Sequence, residues 1–185
     1  LRFFRFLFLI AFWAWGFLNP GPKLPPQILI DHPNPLLIQK DFIWYYRGKL
    51  FSGYMVERER NGKIVYQLPI LNGREEGIAW AWYSTGEKLL KRIYIQGKKS
   101  GVFEQWWPNG HYRYVFHYRE DKMDGAESVF YPNGHLRQLS HFKEGKEEGL
   151  QSAWNTHGDL ISNYTIRKGR LYGIIGVKSC IPTGH

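Results

Sequence analysis

Cys180 is the only cysteine in 185 residues. A lone thiol excludes an internal disulfide and any zinc site built on a Cys-x-x-Cys pair. The G-x-S-x-G, H-E-x-x-H, G-x-G-x-x-G and P-loop signatures are also missing, and no pair of carboxylates stands out. Nothing in the sequence therefore asks for an enzyme, a cofactor or a metal. Cys180 as a nucleophile would need a base, and no neighbour is placed to serve. Acidic residues are the minority charge, 16 against 25 Lys plus Arg, for a net +9. That excess keeps anionic partners in play: lipid headgroups, nucleic acid or anionic glycans. Aromatics are plentiful, with 8 Trp, 12 Tyr and 12 Phe, a content that suits cross-strand packing better than a helical bundle.

Glycine carries the strongest signal. Gly53, Gly77, Gly101, Gly125, Gly149 and Gly173 recur every 24 residues, and Gly62, Gly86, Gly110, Gly134 and Gly158 keep the same interval nine residues behind. Two in-phase series mean one supersecondary unit copied in tandem. Such a unit cannot bury its apolar side alone and must stack on its neighbours.

Asn109-Gly110, Asn61-Gly62 and Asn133-Gly134 predict hairpin turns of type I′, with φ > 0 at both central residues. Thr85-Gly86 and His157-Gly158 keep only the glycine. A second turn at Gln96-Gly97-Lys98, Glu144-Gly145-Lys146 or Lys168-Gly169-Arg170 joins one hairpin to the next, and Asp121 takes the glycine position in its copy. The expected fold is all-β: an elongated antiparallel meander of 24-residue hairpin repeats over residues 41–178, followed by a tail at 179–185. Asp41–Lys49 reads as an amino-terminal half repeat, and Gly173–Lys178 as a lone closing strand.

Strict alternation then assigns faces. Ile78, Trp80, Trp82, Val102, Trp106, Ala126, Phe130, Leu150 and Trp154 share one parity with Leu90, Tyr94, Tyr112, Tyr114, Phe116, Tyr118, Leu136 and Phe142. This face is expected to be the aromatic core, with Trp106 inside it. The other parity mixes Glu127, Gln105, Lys91, His117 and His141 with Ala79, Phe103, Val115 and Leu139.

Residues 1–20 differ from everything after them. Arg2 and Arg5 precede the uncharged run Phe6–Leu18, the order of a signal peptide or an uncleaved signal anchor. An apolar helix is expected there, with the repeats translocated to the extracytoplasmic (periplasmic) side of a membrane. Residues 21–40 are proline-rich and read as an extended linker.

The unit Gly-x-x-x-x-aromatic-aromatic-x-Asn-Gly is carried best by Trp82-Tyr83-Ser84-Thr85-Gly86, Trp106-Trp107-Pro108-Asn109-Gly110 and Phe130-Tyr131-Pro132-Asn133-Gly134. It resembles the MORN repeat in its bacterial variant form. The copy at Gly53 departs from the pattern, with Arg58 and Glu59 where the aromatic pair belongs. MORN arrays occur in junctional, cytoskeletal and membrane-linked proteins and beside enzymes, and bacterial variants are often labelled antitoxin-like. The resemblance implies a β-hairpin array used for binding and supplies no catalytic residue.

Two constellations are candidates for contact. Arg74, Lys98, Lys122, Lys146 and Arg170 follow successive connecting turns and would form a basic edge for anionic headgroups. The same residues would also simply keep sheet edges soluble, and nearby Glu75, Glu76, Asp121, Asp124, Glu147 and Glu148 dilute the field. Trp107, Tyr131, His117 and His141 combine bulk with a polar handle, as interface anchors do. The histidines stack by phase, but equivalent positions lie about 9.6 Å apart, twice the strand spacing, too far to share a metal. Nucleic acid is set aside, because the aromatics have packing to do and export would remove it. The expected function is a non-enzymatic scaffold, membrane-anchored or exported, that docks onto a protein partner or membrane complex. Anionic lipid binding through the basic edge and antitoxin-like inhibition are the alternatives.

Overall fold

The computed structural model describes residues 24–174. The expected apolar helix at 1–20 and the tail at 179–185 lie outside the described residues. Among the described residues every regular element is a strand, and no helix is long and apolar enough to cross a membrane.

Five repeats each supply a six-residue strand and an eight-residue strand. The first strands are Gly53–Arg58, Gly77–Trp82, Gly101–Trp106, Gly125–Phe130 and Gly149–Trp154. The second strands are Ile64–Leu71, Lys88–Ile95, Tyr112–Arg119, Leu136–Lys143 and Leu160–Arg167. They pair in chain order, antiparallel, within one 16-stranded sheet. Two-residue strands such as Lys98–Lys99 fold back onto the end of the preceding strand, and Arg170–Ile174 closes the described edge. The meander expected from the glycine period forms from Gly53 to Ile174, whereas Asp41–Lys49, expected to open it as a half repeat, lies in a separate sheet.

The turn types are exchanged relative to the sequence expectation. In the hairpin at Trp107–Gly110, the Gly110 N–H donates to the Trp107 carbonyl at 2.9 Å, and the Trp107 N–H donates to His111 at 2.8 Å. Gly110 has φ 83° and Asn109 is not left-handed, so this is a type I turn closed by a left-handed glycine. Pro108 suits this geometry, because its ring pre-sets the φ that position i+1 of a type I turn needs, but the same closure forms over Arg60, Ser84 and Thr156 without proline. Asn109 instead caps the loop, its Oδ1 accepting from the His111 N–H at 3.2 Å. The type I′ geometry sits in the connecting turns, where Gln96 (φ 52°) and Gly97 (φ 82°) lie directly between paired Ile95 and Lys98. Asp121 holds φ 68° at the glycine position of its own turn.

A second correction concerns the faces. Each hairpin carries a register shift after its turn, at Glu57/Arg58, Ala81/Trp82, Gln105/Trp106, Val129/Phe130 and Ala153/Trp154. One extra residue on the second strand faces a single residue on the first, and such a bulge inverts every later side chain. Trp106 therefore pairs with Tyr112, but Gln105 pairs with Tyr114, Phe103 with Phe116 and Gly101 with Tyr118. Tyr94, Tyr114, Phe116, Tyr118 and Phe142 thus leave the tryptophan side and join Ala79, Ala81, Phe103 and Glu127 on the inner face. Lys91, Val115, His117, Leu139 and His141 join Ile78, Trp80 and Trp106 on the outer face.

Burial shows which face is inside. Ala79, Ala81, Phe103, Val129, Ser140, Gln151 and Ile166, all on the inner face, are buried. Trp80, Trp82 and Trp106 are only half-buried, and Ile78 and Leu150 are exposed. The repeat glycines Gly77, Gly101, Gly125 and Gly149 pair in register with Tyr94, Tyr118, Phe142 and Ile166, but their positive φ turns the position of an added Cβ toward the outer face. A Cβ on Gly125 (φ 123°) would sit 3.1 Å from the His117 Cβ, so backbone angle and space both require glycine there.

The amino-terminal end is capped. Leu29–Asp31 runs parallel to Gly53–Arg58, and Leu37–Lys40, Ile43–Tyr46 and Lys49–Leu50 form a separate three-stranded sheet. Half of the segment read as a linker is thus ordered against the array. Leu37, Trp44 and Phe51 pack on Met55, Leu68, Ile70 and Ala79, forming the one buried cluster found among the described residues. The same burial pushes the Tyr66 phenol up to about 12, helped by Tyr94.

Candidate docking surface

The basic turn edge is present, and two of its five cations are paired with glutamates. Lys98 Nζ lies 3.2 Å from Glu120, and Lys122 Nζ lies 3.0 Å from Glu144. Each lysine thus meets the acidic residue of the next turn, and the hydrogen bond between Lys122 and Glu144 raises the ammonium pKa and lowers the carboxyl. Other carboxylates at this edge bind backbone. Glu76 accepts from the Gln96 N–H at 2.6 Å, Asp121 from Lys99 at 2.9 Å and Glu148 from Lys168 at 3.1 Å. Arg74, Lys146 and Arg170 thus stand on an edge of mixed sign.

Trp107 and Tyr131 are half-buried staples between repeats. Trp107 Nε1–H donates to the Phe130 carbonyl at 3.2 Å, and the Tyr131 hydroxyl to Trp154 at 3.0 Å. Tyr83 does the same to Trp106 at 2.8 Å. Each reaches the last residue of the next first strand, so the aromatic after the strand ties its repeat to the following one. Arg113, the bulge residue, stacks its guanidinium 4.5 Å over the Trp107 ring, and its buried Nε has no partner.

The histidines serve the same purpose. His117 Nδ1 meets the Ala126 carbonyl at 2.8 Å, and His141 Nδ1 meets Leu150 at 2.9 Å. A carbonyl only accepts, so Nδ1 carries the proton in both rings. The four proposed anchors are therefore not gathered into one patch; they are distributed along the seams between repeats. No three His, Cys, Asp or Glu side chains converge to hold a metal among the described residues.

The side chains left half-exposed on the outer face form a different constellation. Trp82, Trp80, Trp106, Tyr112 and Phe130 follow one another with ring centroids 6.3, 6.4, 5.6 and 6.2 Å apart. The first three steps keep the planes within 22°, 15° and 29°. Lys88 Nζ lies 5.5 Å from the Trp80 centroid and 5.9 Å from that of Trp106, a cation–π arrangement. Lys91 bonds Glu104 at 2.6 Å, and the Tyr112 hydroxyl donates to the other oxygen of Glu104 at 3.1 Å, which raises the Tyr112 pKa. The sequence reading placed these tryptophans in the core; they keep the shared face that alternation gave them, and it is burial on the opposite side, at Ala79, Ala81, Phe103 and Val129, that leaves this face outside.

On the inner face a cavity of about 140 Å³ between Arg92, Lys99, Phe103, Phe116 and Tyr118 is well below the ~300 Å³ of small-molecule sites, and a wider, open hollow of about 950 Å³ lies between Gly149, Leu150, Ile166, Arg170 and Tyr172. Glu127 lies beside the smaller cavity, its carboxyl raised by burial and then by Glu147.

No family model matches the chain, and no curated protein does.

Proposed function

We propose that the chain is a non-enzymatic repeat scaffold of MORN-like type, membrane-anchored or exported, that docks a protein partner or membrane complex on its outer sheet face. The observation that carries this reading is the half-exposed strip Trp82–Trp80–Trp106–Tyr112–Phe130. Aromatic rings with polar tips are the residues on which protein interfaces concentrate their energy. Pairing of Lys98 and Lys122 with glutamates weighs against the lipid-headgroup alternative, because a bilayer would meet alternating charge.

The test is a photo-crosslinking amino acid placed at Tyr112 or at Lys122 in the full chain in its native membranes. Crosslinks to protein from position 112 and none from 122 support the reading. Lipid adducts at 122, with position 112 silent, overturn it.

A further inference from the structure

The outer strip has a chemical bias that narrows its partner. Among the described residues the Trp44 and Trp107 indoles donate to protein acceptors, whereas those of Trp80, Trp82 and Trp106 do not, and none of these three is buried without a partner. Lys88 adds an ammonium over the rings. Glu104 is the strip's carboxylate, and both its oxygens are engaged, by Lys91 and Tyr112. The strip thus presents indole donors and flat apolar rings, while each oxygen of its carboxylate already holds one donor.

A polyproline II segment is the complement of that surface. Proline has no N–H, and the polyproline II backbone makes no internal hydrogen bonds, so its carbonyls seek donors. Glycans and peptides of ordinary composition bring donors of their own, for which the strip offers only the remaining lone pairs of Glu104 and the Tyr112 oxygen. The spacing also agrees. Trp82, Trp106, Phe130 and Trp154 end the first strands of successive repeats, two strands apart and therefore about 9.6 Å. One polyproline turn of three residues advances about 9.3 Å.

Resting on the protein-docking reading above, we propose that the outer strip recognises a proline-rich segment of the partner, lying across the strands with a proline every third residue against the rings that end successive first strands. Aromatic-lined surfaces hold such segments at low entropic cost, because the helix is preformed.

The probe is decaproline, titrated calorimetrically into the full-length purified protein, with a glycine–serine decamer and cellohexaose as competitors of other chemistry. Decaproline is expected to bind and the other two are not. Trp82→Phe and Trp106→Phe keep the rings and remove a donor, so each should weaken binding about threefold or more, the worth of one hydrogen bond. Trp107→Phe, off the strip, should leave affinity unchanged. Silence toward decaproline, equal binding of the glycine–serine decamer, a response to cellohexaose instead, or affinity unmoved in both strip variants each overturns the proposal. If decaproline is silent while position 112 still crosslinks to protein, the docking reading stands and the proline-rich one falls.

Discussion

Replacing Trp107 by alanine should cost more stability than replacing Trp106, the reverse of what their alternation suggests. Trp107 ties the third repeat to the fourth through its indole N–H, 3.2 Å from the Phe130 carbonyl, and shields Arg113, 4.5 Å over its ring. The bond contributes about 1 kcal/mol, the cation–π contact about 0.5–1 kcal/mol, and burial of half an indole about 1 kcal/mol. Loss of all three comes to roughly 3 kcal/mol, concentrated at one seam between neighbours. Trp106, half-buried on the outer face between Trp80 and Tyr112, loses stacking and part of its apolar contact, about 1–2 kcal/mol. Trp107→Phe retains the ring over which Arg113 stacks and should lose only the hydrogen bond, about 1 kcal/mol. Urea melts of the three variants read these values directly: with a slope near 2 kcal/mol/M, the Trp107→Ala midpoint falls by about 1.5 M at unchanged slope. A Trp106→Ala loss several times larger than that of Trp107→Ala would refute the face assignment.

Four further outcomes are expected. Gly125→Ala forces a Cβ to 3.1 Å from His117 at φ 123° and should lower stability by about 1–3 kcal/mol in a thermal melt. Gly110→Ala, at φ 83° with open space around it, should cost only the left-handed strain, about 1–2 kcal/mol. Lys122→Ala should leave the melting temperature unchanged and insensitive to added salt, because the pair it breaks with Glu144 is exposed. Glu127 is raised in the fold by burial and by Glu147. The folded state therefore holds its proton to higher pH than the unfolded state, and stability falls as pH climbs from the ordinary glutamate range through the raised folded value. Urea midpoints measured across that window should decline in the parent and stay flatter in Glu127→Gln, which should also be the more stable of the two at neutral pH.

The period of the array was fully legible, because two glycine series mark backbone positions that only glycine fills comfortably. Gly125 needs left-handed angles and a bare Cα beside His117. The turn types were not, since Asn109-Gly110 has the same composition whether it forms a two-residue turn or, as here, closes a longer loop. Alternation grouped the first-strand side chains correctly but took their tryptophan side for the core, and it put much of the second strands on the wrong face. Alternation counts residues, and a bulge adds one: Tyr112 and Tyr114 share parity yet pair with Trp106 and Gln105 on opposite faces. A sequence signal existed in the excess length between the aromatic pair and the next apolar run, but it does not say which residue is extruded. The candidate anchors were legible as amphipathic groups, and their pairing was not. The carbonyls that Trp107, Tyr131, His117 and His141 engage lie 9 or 23 residues away, and backbone acceptors leave no trace in composition. The ordered half of the linker escaped notice because Leu29–Asp31 is short and pairs in parallel with a strand it does not adjoin in sequence.

The central claim is that the tryptophan-bearing face is the outer one and that a partner covers it. Alkylation of single cysteines tests both halves, with Cys180→Ser as background and a membrane-impermeant maleimide as reagent. Ile78, 38% exposed on the outer face, and Ala79, fully buried on the inner one, are adjacent in the same strand. In purified protein Ile78→Cys should react readily and Ala79→Cys should stay protected until the fold is denatured. In opened native membranes, where the partner is present, Ile78→Cys should become protected as well. Rapid labelling of Ala79→Cys with Ile78→Cys blocked in the purified protein would contradict the face assignment, and Ile78→Cys equally reactive in both settings would contradict docking on that face.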